Sequence, residues 1–117
     1  MFLQPERLDQ IIALGRQNLP NEICGILVNT PQGQILRQLT NQAEDPTTGY
    51  YLDNQELVQE LTGIVHAQEI TLEKNDVVVW HTHPSGFIGP SDRDLSTRNL
   101  GLTYLVVALP NGEATFF

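Results

Sequence analysis

Trp80-His81-Thr82-His83-Pro84-Ser85-Gly86-Phe87-Ile88-Gly89-Pro90-Ser91-Asp92-Arg93-Asp94 is the stretch that decides how this chain reads. It begins at the end of Val77-Val78-Val79-Trp80, the strongest strand signal in the sequence. Side chains at i and i+2 of a strand point to one face, so His81 and His83 can converge on a single ion. A Pro/Gly-rich loop follows, and then Ser91 and Asp94 stand one turn apart at a helix start. If that loop folds the helix start back over the strand end, Asp94 joins the two imidazoles and Ser91 faces the side left open. Two imidazoles and a carboxylate supply three of zinc's four tetrahedral bonds and leave one for water, which separates catalytic zinc sites from closed structural ones. Ser91 to Asp94 also reads as a capping box, with Ser91 as N-cap and Asp94 at N3, and the two jobs are compatible. The pattern points to zinc hydrolase chemistry.

Outward from this stretch, the chain alternates helical and strand periodicities. Leu8, Ile11, Ile12 and Gly15 form the stripe of a helix from about Pro5 to Leu19, with Pro5 at an early position and Pro20 as terminator. Ile23 to Val28 reads as a strand, Asn29 to Gly33 as a turn and Gln34 to Thr40 as the hairpin's second strand. Asn41 to Gly49 is a polar loop, and Tyr50-Tyr51-Leu52 reads as a brief strand. Asp53 to Glu56 resembles a capping box opening a second helix to about Gln68, with Leu57, Leu61, Ile64 and Val65 inward. A short third helix is predicted from Ser91 to about Asn99. Tyr104 to Leu109 is a buried strand, and Asn111-Gly112 turns the chain into a last strand, Ala114 to Phe117. This order predicts a mixed α/β sandwich.

Composition narrows the function classes. At 117 residues the expectation is one domain, 1–117. Apolar residues make up 40% and charged residues 17%, the balance of an ordinary globular chain. There is no apolar run of about 18 residues, and Met1 to Arg7 lacks the pattern of a secretion signal. The single Cys24 cannot form an internal disulfide, which fits a cytoplasmic location. Net charge is −8, with Lys74 the only lysine, so nucleic acid and anionic membrane are not expected partners.

A metal hydrolase also needs a base to move protons. Glu22 is the candidate, the one carboxylate bordering the apolar strand Ile23 to Val28, where partial burial would lift its pKa toward neutrality. Cys24 is assigned to the core and not to nucleophilic catalysis. His66 falls near the C-terminal end of its helix, where an imidazole suits the dipole, and is read as structural or exposed. Phe87-Ile88, between Gly86 and Gly89, forms an apolar loop tip that core packing does not require, so it is proposed to contact substrate. Gly86 and Gly89 suit a sharp turn past the metal.

Glu22, then His81-Thr82-His83-Pro84, seven residues, and Ser91-Asp92-Arg93-Asp94 resemble the signature of the JAMM (MPN+, JAB-domain) metalloproteases. That signature is Glu, then His-x-His, seven residues, and Ser-x-x-Asp, and all five positions match. The Glu22-Ile23-Cys24-Gly25-Ile26-Leu27 context and Pro84-Ser85-Gly86 are similar to the family as well. The resemblance implies an α+β fold, a mixed sheet between helices in a three-layer, cytidine deaminase-like architecture. It implies His81, His83 and Asp94 as zinc ligands with water as the fourth, Glu22 as general base and acid, and Ser91 as hydrogen-bond donor to the oxyanion. His₂Asp would also accept cobalt or iron. The implied substrate is a small ubiquitin-like or sulfur-carrier protein, cut after its C-terminal glycines. The eukaryotic members' two ubiquitin-gripping insertions have no room here, so the minimal prokaryotic type is the expectation. Two other classes remain. A non-catalytic scaffold of the same fold would lack the His or Asp positions, and a closed structural zinc site would need Cys24 as a fourth ligand. Exposed edge strands leave room for a homodimer.

Overall fold

The computed structural model describes residues 2–99 and 101–117. Helix α1 spans Pro5–Gln17 and begins with proline in its first turn, where the missing N–H costs no helical bond. A hairpin follows, β1 over Cys24–Thr30 and β2 over Gly33–Leu39. Helix α2 runs Asn54–Gln68, a 3-10 turn covers Lys74–Asp76, and strand β3 covers Val77–His83. Helix α3 (Asp92–Thr97) and strands β4 (Thr103–Ala108) and β5 (Glu113–Phe116) complete the order.

The sheet order is β2-β1-β3-β4-β5, with β3 and β4 parallel and every other pair antiparallel. Alternation along the strands assigns two faces. One carries Ile23, Leu27, Val78, Trp80, Leu105 and Val107, and α1 covers it with Ile11, Leu8 and Ile12. The other carries Ile26, Val28 and Val77, and α2 covers it with Ile64, Leu57 and Leu61. Helices therefore lie on both sides of a mixed sheet, the three layers the sequence predicted.

Two departures from the sequence reading have plain causes. Tyr50–Leu52 is not a strand: the segment stays in a loop whose backbone is gripped by the side chain of Asn41. Only half of the box at Asp53 forms. The Asp53 side chain accepts from the Glu56 N–H, but the Glu56 carboxylate turns to Thr40, accepting from its N–H and its hydroxyl at 3.0 Å each. That carboxylate pins the start of α2 to the end of β2.

Gly25 is the one position in β1 where a side chain cannot stand. It pairs with Trp80 across β1 and β3, and a Cβ there would overlap the Arg37 carbonyl and the indole ring. The missing side chain leaves room for the Trp80 indole, which is fully buried. Among the described residues, no helix is long and apolar enough to cross a membrane.

Candidate metal centre

β3 alternates past Trp80 as it did before it, so His81 and His83 both point to the face opposite α1, beyond the part that α2 covers. Pro84 to Pro90 turns the chain back, using φ of +86° at Gly86 and +81° at Gly89, values that side chains rarely tolerate. This return sets α3 over the end of β3. His81 Nε2 lies 3.2 Å from His83 Nε2 and 3.1 Å from Asp94 Oδ2, and His83 Nε2 lies 3.0 Å from the same oxygen. Ligands held at 2.0–2.1 Å around a tetrahedral zinc stand about 3.3 Å apart. The triangle of donor atoms matches one face of such a tetrahedron, so the residues fit the metal.

Each corner is held from behind. Asp94 Oδ2 accepts the Ser91 N–H at 2.9 Å, and Ser91 Oγ accepts the Asp94 N–H at 3.0 Å, which completes the capping box read from the sequence. His83 Nδ1 lies 3.1 Å from the Phe87 carbonyl oxygen, which can only accept. In the neutral ring Nδ1 therefore carries the proton and Nε2 keeps its lone pair for the triangle. His81 is fully buried, and Tyr50 stacks on its ring with centroids 4.3 Å apart and planes at 23°.

The charge states follow from this packing. Burial works to raise the Asp94 carboxyl, but hydrogen bonds from His81 and His83 overcome it and hold the group well below the usual carboxylate range. Burial pushes His81 down, toward the neutral ring that ligates metals. In the metal-free chain burial works to lower His83, but hydrogen bonds to Asp94 and to the Phe87 carbonyl outweigh it and raise the group, favouring the ring protonated on both nitrogens.

Glu22 arrives from the far end of the chain. The Thr82 N–H donates to the Ile23 carbonyl at 3.0 Å and the Ile23 N–H to Thr82 Oγ1 at 3.1 Å, which extends the β1–β3 pairing and sets Glu22 beside His83. A carboxylate oxygen of Glu22 and the ring nitrogens of His81 and His83 all fall within 4.8 Å of one another. Two carboxylates thus border the two imidazoles, and they differ in satisfaction. Asp94 Oδ2 touches both rings and a backbone N–H, whereas Glu22 Oε1 is buried with no hydrogen-bond partner among the described residues. Burial pushes the Glu22 carboxyl up to about 7.

A groove of about 860 Å³ opens over these groups. The loop from Gln42 to Leu52 and the start of α2 form one wall, and Phe87, Ser91, Arg93 and Thr97 belong to the other. Phe87 and Ile88 are 56% and 62% exposed at the loop tip. Cys24 is wholly buried, and that burial pushes its thiol up to about 12, so it holds no thiolate. His66 is exposed in the last turn of α2. The sequence reading missed Tyr50 and Asn41. Tyr50 carries no periodic signal in its loop, and Asn41 matters only through contacts that folding creates.

Two comparisons with known proteins give matches over nearly the whole chain. A family model described as prokaryotic homologs of the JAB domain matches residues 5–117. The chain is also similar to a protein of Salinibacter ruber (strain DSM 13855) whose structure was determined in solution. That similarity has 26% identity and a TM-score of 0.51, over 98% of this chain and 77% of the other. No curated protein matches the chain.

Proposed function

The chain belongs to the prokaryotic homologs of the JAB domain, and from that membership we propose that it is a zinc-dependent peptidase or isopeptidase. Its substrate would be a small ubiquitin-like or sulfur-carrier protein, hydrolysed after the C-terminal glycines. One observation carries the reading: a triangle of metal-donor atoms stands beside a second buried carboxylate, Glu22, whose Oε1 has no hydrogen-bond partner among the described residues. A closed structural site has no use for that carboxylate, and a hydrolase does.

His81, His83 and Asp94 hold the metal in this reading. Zinc bound there would polarise the scissile carbonyl and bring the pKa of a water to about 7. Glu22 Oε1 takes the proton of the attacking water and returns it to the departing nitrogen. Burial, which disfavours the charged form of Glu22, suits it to hold that proton between the two transfers. Ser91 Oγ accepts from the Asp94 N–H, which leaves its own proton to donate to the oxyanion from the groove wall. The exposed Phe87-Ile88 tip receives an apolar part of the carrier, and the net charge of −8 steers a carrier with a basic face.

The test is cleavage of sulfur-carrier proteins extended beyond their C-terminal Gly-Gly, by zinc-loaded protein and by its Glu22→Ala variant, read by intact mass. Mass loss after the second glycine, with the variant binding zinc but turning over at least a hundredfold more slowly, is the expected result. Full activity in Glu22→Ala would refute the role of the base. No cleavage by a chain that holds one zinc tightly would turn the reading toward a non-catalytic scaffold.

A further inference from the structure

The two imidazoles of the donor triangle are held by different devices. His83 has the usual one, a hydrogen bond from its second ring nitrogen to a backbone carbonyl. His81 does not: its Nδ1 is buried with no hydrogen-bond partner among the described residues. A buried ring without that bond needs something else to fix its plane, because a few tens of degrees of rotation carries Nε2 away from Asp94 and His83. The Tyr50 ring lies against it, nearly parallel at 4.3 Å, and Phe117 meets it edge-on at 6.2 Å. We propose that Tyr50, clamped by Asn41, is a positioning residue that sets the plane of His81 in place of the missing hydrogen bond.

The clamp is specific to residue 50. The Asn41 side chain donates to the Gly49 carbonyl at 3.1 Å and accepts the Tyr51 N–H at 3.1 Å, so one carboxamide brackets the residue on both sides. The same amide nitrogen donates to the Glu22 carbonyl at 2.9 Å, and the Glu22 N–H donates to the Pro46 carbonyl at 2.7 Å. A loop without regular structure is thereby tied to the backbone of one functional group and laid on the ring of another. The stack confines the plane of His81, and Asp94 and His83 then select which ring edge faces them. Outer hydrogen-bond partners of metal ligands change affinity by about 10- to 100-fold when they are removed, and the stack stands in for such a partner here.

This inference rests on the metal reading above, and its test is independent of turnover. Zinc affinity is measured by chelator competition for the wild type and for Tyr50→Phe, Tyr50→Ala, Tyr50→Leu and Asn41→Ala, with thermal unfolding of each metal-free protein as the fold check. Tyr50→Phe is expected within about twofold of wild type, because the stacking face is kept. Tyr50→Ala and Tyr50→Leu should bind zinc about tenfold or more weakly. Asn41→Ala should fall between them and wild type. The cobalt-substituted Tyr50→Leu protein should show an altered ligand-field spectrum, which a merely structural role would leave unmoved. Wild-type affinity in Tyr50→Leu overturns the proposal, as does Tyr50→Phe binding as weakly as Tyr50→Ala. A wild-type chain that binds no zinc defeats the metal reading itself, and this inference with it.

Discussion

The two faces of β3 are built from one seven-residue strand and do opposite things. Toward α1 it presents Val78, Trp80 and Thr82, all but closed to solvent and packed against the helix. Toward the other side it presents Val77, Val79, His81 and His83, apolar where α2 lies and then polar where α2 no longer reaches. A continuous second helical layer would have buried the imidazoles in hydrocarbon. The site exists because the covering helix stops short and a polar loop, clamped by Asn41, takes over. One face stores stability and the open half of the other carries polar groups that a packed core would not keep.

That contrast can be broken in three ways. The largest expected effect is at Trp80. Trp80→Ala should lower stability by about 3–5 kcal/mol in urea unfolding, since the indole is fully buried over Gly25 and the space cannot refill. A loss below about 1 kcal/mol would mean that the α1 face is not the main store of stability.

A smaller effect belongs to Glu22 in the metal-free protein, and it depends on pH. Its carboxyl is pushed from 4.5 up to about 7 by burial. The folded chain then holds that proton more tightly than the unfolded chain does. The contribution to stability is complete below about 4.5 and is lost as pH rises through about 7. Glu22→Gln lacks this titration. Wild-type stability relative to the variant should therefore fall between these two pH values, with a slope of at most about 1.4 kcal/mol per pH unit. A flat difference would show that the carboxyl is not desolvated.

The smallest change in stability should come from Phe87→Ala. The ring is 56% exposed, so stability should stay within about 0.5 kcal/mol, while KM for an extended carrier rises several-fold at unchanged kcat. An unchanged KM would remove the loop tip from substrate contact.

Which parts of this were legible in the sequence follows from how local they are. The i, i+2 histidines and the Ser91–Asp94 box are set by backbone periodicities within a few residues, so their spacing alone placed them. The loop glycines announced the positive φ at Gly86 and Gly89 that the turn requires. Glu22 was legible only as a carboxylate at the edge of an apolar strand, and the β1–β3 register supplied its neighbour. Tyr50 was misread because aromatic residues side by side resemble a strand, while its partner His81 lies in another element. The Glu56 carboxylate followed the helix-capping rule in sequence and a tertiary partner, Thr40, in the fold. Gly25 gave no signal that a ring from a distant strand would lie on it.

The donors also differ in how far apart they are along the chain. His81, His83 and Asp94 come from one continuous stretch whose first and last members stand 13 positions apart, while Glu22 lies 59 positions before His81. A short stretch brings its three donors near one another by local ordering, with Tyr50 still to fix the plane of His81, whereas the carboxylate arrives only when β1 has found β3. In the proposed reading a metal would meet three of its donors before the fold is complete, though before Tyr50 is laid on His81, and such early binding would reduce the thermal protection that zinc confers on the native state. The proposed hydrolysis, by contrast, would wait for the longest-range strand pairing of the sheet. On that reading a half-made copy would hold a metal before it cuts anything.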